Sequence, residues 1–449
     1  MKLSTTLLVT ATSMLGALTF SALAQPATFD PIKEQNLQNA THSNSVEHPY
    51  KPTQYYQETI TPRRTQLKHL LYIAEPGGTA NGMLPYPNGG IGIVVLDADH
   101  NYQFLKRITW DVPASQLPGP GVTGVAASPA TNMYYVAFRG SLVAYDLATD
   151  KVAWTQAGGT APVKTHYALG NTSGCCERPW VLPDGKTLLV ASSYNSWWYV
   201  IDGVTGAIKG KIDTPASPIA HNMAVTPDGK TAYLSSLTPQ VSIADVATMK
   251  VTNTITFSDA VRPIVINHDG SRVYVNVNNL LGFEIGDGKT GKFLKRIEAP
   301  AEMWKAKWAD PNQHFFGHGG PSHGLGMTPD ESEIWVADNV NYGMLVYDNT
   351  GEWPVYNPEK SFKTTYSVGW ITMTNDGKTA FLGDGDIVDV KSHKIVGQMK
   401  DEHNQVVASE KLLQLTFDGD KLVETDNQFA EGLTKKVSAV ASPVQRASR

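Results

Sequence analysis

Cysteine is almost absent: Cys175 and Cys176 are the only two in 449 residues. No Cys-x-x-Cys-His haem attachment, Gly-rich nucleotide loop or Gly-x-Ser-x-Gly elbow occurs, so c-type haem, nucleotide and α/β-hydrolase chemistry have no motif here. After the first 24 residues no segment approaches the roughly 18 uninterrupted apolar residues that a membrane span needs. Charge imbalance is small as well: the formal net charge is −5, which argues against nucleic acid as a partner.

The chain opens with MKLSTTLLVTATSMLGALTFSALA, one lysine followed by an apolar stretch and Ala22-Leu23-Ala24. This is the pattern of a secretory signal cut after Ala24, which predicts a secreted or periplasmic protein with no membrane span. Residues 25–68 are polar and proline-containing and read as an extended arm. Residues 433–449 read as a disordered tail. Between them, 69–432 is long enough for one large domain.

That middle segment repeats. Seven apolar runs each close on an aspartate and a polar turn: Asp97, Asp146, Asp202, Asp245, Asp287, Asp348 and Asp389. Most are preceded by a Pro/Asn-Asp-Gly turn leading into another apolar run, as in LPDGKTLLVASS and TPDGKTAYLSS. The aspartates are 49, 56, 43, 42, 61 and 41 residues apart, a period that fits a four-stranded propeller blade. The fold expected is all-β, a seven-bladed β-propeller of four-stranded antiparallel blades. The first copy begins at a second strand (LLYIAEP), so its inner strand is expected from LLQLTFDG at 412–419. The Asp-Gly turns suit tight connections between strands a and b, and the Asp-x-x-Thr-Gly stretches suit c–d turns on the same face. Long insertions at 75–92, 157–176 and 299–322 then fall on the opposite face, where a rigid scaffold would carry functional loops.

VYVNVNNLLGFEIGDGKTGKFLKRI (273–297) and WWYVIDGVTGAIKGKI (197–212) resemble the YVTN-type propeller repeat, over roughly residues 70–420. The resemblance implies an extracytoplasmic seven-bladed propeller. The wider class holds lactonase-like enzymes and the heavy chains of quinoprotein amine dehydrogenases, so it implies a fold and leaves the activity open.

Aligning the repeats on the turn proline gives a candidate site. Six residues before Pro129, Pro183, Pro227, His268, Pro329 and Asn375 stand Thr123, Glu177, His221, Arg262, His323 and Gly369. Equivalent positions form a ring about a propeller axis, so Glu177, His221, Arg262 and His323 are the candidate catalytic residues at a channel mouth. His221 and His323, with His318 or His314 from the long loop, would suit a zinc or copper ion. Alternatively, Arg262 would grip a carboxylate or phosphate while a histidine and Glu177 act as base and acid. A polar lining that merely satisfies itself is the third reading.

Cys175 and Cys176 are expected to pair with each other. Adjacent Cα atoms lie about 3.8 Å apart and adjacent strand side chains face opposite ways, so the bridge needs the loop that Gly174 supplies. Trp180, Trp304 and Phe316 are candidate ligand-binding aromatics, among a wider group with Trp197, Trp198, Trp308 and Phe315; wedging between blades is the competing role. Three functions stay open. One is an enzyme acting on a small molecule, oxidative with a metal or lactonase-like. Another is a non-catalytic module offering its loop face to a partner protein. The third is a quinoprotein dehydrogenase heavy chain.

Overall fold

The computed structural model describes residues 67–76, 79–80, 84–85, 91–110, 121–138, 140–158, 175–193, 195–215, 219–301, 303 and 320–429. The expected leader, the tail from 433 and all but the last two residues of the arm lie outside these, as do most of the three long insertions.

Seven antiparallel sheets stand in a ring. Blade 2 shows the common plan: strands a to d are Val122–Ser128, Met133–Phe138, Ser141–Asp146 and Lys151–Gln156, paired in sequence order. Blades 3, 4, 5 and 7 repeat it, their a strands being Glu177–Val181, Ala220–Val225, Val261–Ile266 and Ile371–Met373. In blade 6, strand a is Leu325–Met327, and the outer edge is built from two short pieces, Val355–Tyr356 and Phe362–Lys363. Helix is almost absent among the described residues: one 3-10 turn, Ala98–His100, and helical residues at Ala301 and Met303.

All seven repeat aspartates end a c strand. The reason is local. Asp202 Oδ1 accepts from the backbone of Val204 at 3.0 Å and Thr205 at 2.9 Å, and Asp287 Oδ1 does the same for Lys289 and Thr290, both at 2.8 Å. The carboxylate thus folds the turn around itself; the Lys209 side chain above all, helped by these turn bonds, pulls Asp202 down to about 2. Asp348 departs from the rule. A longer c–d connection separates it from its outer strand, and it binds the side chains of Asn357 and Lys360 instead.

Strands a to c are buried on both faces because each blade lies between two neighbours, so they read as continuous apolar runs. Only the d strands alternate, as in Ile208–Asp213 and Phe293–Glu298. Tyrosines wedge between blades and use their hydroxyls as clasps: Tyr135 donates to Gly203 O at 3.0 Å, and Tyr233 to Gly270 O at 2.6 Å.

Ring closure follows the expected segments. Leu412–Asp418 pairs antiparallel with Lys68–Pro76, with Lys68 opposite Phe417 and Ile73 opposite Leu412. A fifth strand, Lys421–Thr425, then turns back against Leu412–Asp418, making blade 1 five-stranded. A buried ion cluster seals the seam between blades 1 and 7: Arg107 binds Glu402 through Nε and Nη2, each at 2.8 Å, and Glu75 through Nη1.

Candidate functional site

In blades 2 to 5 the a strand carries an irregularity at the position singled out from the repeats. Pairing breaks between Val122 and Gly124, Glu177 and Trp180, Ala220 and Asn222, and Val261 and Ile264. Thr123, His221 and Arg262 sit within such bulges and Glu177 at the edge of one. A bulge re-aims a side chain out of the regular pleat. All four are buried, as is His323.

Two of these residues touch. His221 Nδ1 lies 2.8 Å from Glu177 Oε1, joining blades 4 and 3. Burial pushes the imidazole below its ordinary pKa, and the positive charges of Arg178 and Arg262 add to this against the pull of Glu177. The ring is therefore neutral near pH 7. A neutral imidazole donating from Nδ1 to a carboxylate keeps its lone pair on Nε2, the disposition of a general base. Arg262 is fully buried and close enough to bear on His221 electrostatically. His323 Nδ1 lies 2.8 Å from Gly369 O and therefore donates to it.

Arg178 links these pieces. Its Nε is 3.8 Å from Glu177 Oε1, and its guanidinium lies 4.1 Å above the Trp370 ring. Trp370 in turn packs against His323, with centroids 6.4 Å apart. The Arg178 backbone sits at φ 41°, in the left-handed region, and Ile219, two residues before His221, sits at φ 66°. For a β-branched residue this is a true outlier, and such strain concentrates at functional sites. Blade 1 contributes Lys411, whose Nζ is 2.7 Å from Glu410 Oε2 and 5.3 Å from the Trp370 ring. Burial, and then Arg178, bring this lysine down to about 8.

Arg178, Trp370, Glu410 and Lys411 escaped the sequence reading, yet a signal for Lys411 exists. Thr416-Phe417-Asp418-Gly419 repeats the Thr-Pro-Asp-Gly turn of 226–229, and Gly419 has the matching positive φ of 63° against 70° at Gly229. Six residues before Phe417 stands Lys411, the seventh ring position.

Below the ring the axis is filled. After Lys421–Thr425 the chain runs up the channel: Gln428 O accepts from Trp370 Nε1 at 2.7 Å, and Gln428 Oε1 accepts from Val125 N at 2.7 Å. Phe429 packs against Trp180 and Trp370, with centroids 5.0 and 5.7 Å apart. Part of the Trp180 ring expected to face a ligand at the channel mouth is thus covered by the protein's own chain. Trp198 lies in the core, and Lys211 stands over Trp197. Trp304, Trp308, His314, Phe315, Phe316 and His318 lie outside the described residues.

Cys175 and Cys176 are bonded to each other across a cis peptide bond, with Cα atoms 3.1 Å apart. Both are fully buried among Ala137, Leu142, Leu188 and Val190, between blades 2 and 3. Cys176 O accepts from the Thr123 hydroxyl at 2.9 Å.

For a metal, both imidazoles are oriented as ligands usually are, through Nδ1 to a carboxylate and to a backbone carbonyl. Among the described residues, however, no three His, Cys, Asp or Glu side chains form a metal-holding group. None of their helices is long and apolar enough to cross a membrane. No protein-family model matches the chain and no curated protein aligns with it, so the seven-bladed propeller rests on the structure itself.

Proposed function

We propose that this is an extracytoplasmic propeller of the YVTN-repeat kind that binds a small anionic molecule at the charged mouth of its channel. Glu177 and His221 would act on it as acid and base. The observation carrying this reading is Arg178. Its Nε and Nη1 are buried and make no hydrogen bond, and its backbone is strained. Burying guanidinium donors unpaired is costly, so a carboxylate or phosphate that completes them is the occupant the site suits. The side chains around the mouth agree: Arg178, Arg262 and Lys411 are cationic against Glu177 and Glu410. A hydrolysis of the lactonase type would use His221 to activate water toward a carbonyl held by the cations.

A second reading is a zinc or copper ion on His221, His323 and His318, serving an oxidoreductase. The Nδ1 anchoring of both imidazoles favours it. Calorimetric titration with small carboxylates and inorganic phosphate, with metal analysis of the purified protein, separates the two. Saturable anion binding that Arg178→Gln removes supports the first reading. Anion binding unchanged in that variant sinks it, and stoichiometric metal promotes the second. With neither anion nor metal bound, the loop face becomes a docking face for a partner protein, the arrangement of a dehydrogenase heavy chain included.

A further inference from the structure

At the opposite end of the axis, on the face of the a–b turns, a cavity of about 300 Å³ lies between the a strands of blades 2 and 3 and the returning chain. Val125, Trp180, Leu182 and Leu413 give it apolar walls, and Asn375 and Asp426 line it too. Its volume is at the lower end of small-molecule sites. The polar groups at its edge are mostly engaged. Gln428 is bound through its Oε1 by Val125 N and donates through Nε2 to Glu410 O at 3.3 Å. The Ser128 hydroxyl donates to Gly185 O.

Asp426 is the exception. It is only 8 % exposed, its Oδ1 accepts from Asn375 N at 2.9 Å, and its Oδ2 is buried with no hydrogen bond at all. A carboxylate oxygen left in this way costs free energy that a bound donor would recover. The ionisable groups bearing on it are Glu424 and Asp376, both acidic, with Asp376 in turn paired to Lys378 Nζ at 2.7 Å. Tyr102 is the other group within reach. No cation stands against Asp426 among these.

We propose that this cavity is a second binding site, for a small organic cation with an apolar envelope, such as an alkylammonium or quaternary ammonium compound. Asp426 supplies the counter-charge, and Trp180 an aromatic wall that attracts cations. A neutral apolar ligand would leave Oδ2 unanswered, and an anion would meet Asp426 with the negative charges of Glu424 and Asp376 behind it.

Burial, with Glu424 and Asp376, raises Asp426 to about 8, so it is mostly protonated at neutral pH. A cation binds the ionised form, and apparent affinity scales with the ionised fraction. With that value, binding should tighten about tenfold from pH 6 to 7 and about fivefold more to pH 8, then level off.

The test uses the whole protein and three isosteric probes: choline, neutral 3,3-dimethylbutan-1-ol and anionic 3,3-dimethylbutanoate. By calorimetry at pH 8.5, choline should bind saturably and each of the other two at least about tenfold more weakly. Asp426→Asn should weaken choline by a similar factor. The wild-type pH series for choline needs no variant and should rise as stated. Equal binding of the alcohol, choline affinity unchanged in Asp426→Asn, a flat pH series or no choline binding at pH 8.5 each overturns the proposal.

Discussion

Phe429 tests whether the last described residues belong to the fold or merely trail from it. Its ring is almost completely buried, tilted against Trp180 of blade 3 and edge-to-face with Trp370 of blade 7. Truncating a buried phenylalanine to alanine costs about 3–5 kcal/mol, the lost transfer energy plus the cavity left behind. Two aromatic pairs are lost as well, each worth about 0.5–1.5 kcal/mol beyond area burial. One effect limits the total. The segment lies beyond the last strand, so it can slacken and relieve the cavity, which places the loss near the lower end of the range, about 3 kcal/mol. Unfolding entropy of about 2.1 cal/mol/K per residue, over the roughly 360 residues between Lys68 and Phe429, makes each kcal/mol worth about 1.3 °C. Phe429→Ala should therefore lower Tm by about 4 °C in scanning calorimetry, and urea unfolding should show a matching loss at unchanged slope. Quenching by acrylamide should rise as Trp180 and Trp370 are uncovered. A Tm within 1 °C of wild type, or a shift with tryptophan shielding intact, would refute the view that Phe429 is part of the core.

Three further outcomes are expected. His221 has a folded pKa below its unfolded value, so the unfolded chain takes up its proton first; stability contributed by the neutral ring is present above about pH 6.5 and lost as pH falls. Denaturant midpoints measured from pH 7.5 to 5 should decline, with a shallower slope in His221→Gln; an unchanged slope would remove His221 from the titration. Alkylation of unreduced protein should label neither Cys175 nor Cys176, and reduction should release two thiols; a disulfide-linked dimer would contradict the pairing. At Gly124 an added Cβ would lie 2.4 Å from the Arg178 Cα, a backbone contact no rotamer relieves. Gly124→Ala should cost about 3 kcal/mol by overpacking and displace Arg178, measured as a lower urea midpoint together with weakened anion binding.

The chain itself determined the blade count, the strand that each aspartate ends and the segments that close the ring. These are local properties: a carboxylate that folds its own turn, and apolar runs that only stacked neighbours can bury, recur wherever the blade recurs. The ring position was also legible, because equivalent places in repeats become neighbours around an axis. Which ring residues touch was decided by tertiary structure alone. A bulge in the blade 4 a strand brings His221 to Glu177, whereas His323, just before the regularly paired Leu325–Met327, donates to the Gly369 carbonyl, and no one-dimensional pattern encodes that aim. Arg178 and Trp370 are unremarkable in their own repeats and acquire a role only by meeting across the axis. The sealed channel is of the same kind: Gln428 and Phe429 lie beyond the last repeat, and they are held by contacts from four blades, 1, 2, 3 and 7, converging on one narrow space. A short polar stretch ending on one phenylalanine carries no period. What fixed it there is the cost of leaving the apolar axis of a closed ring unfilled.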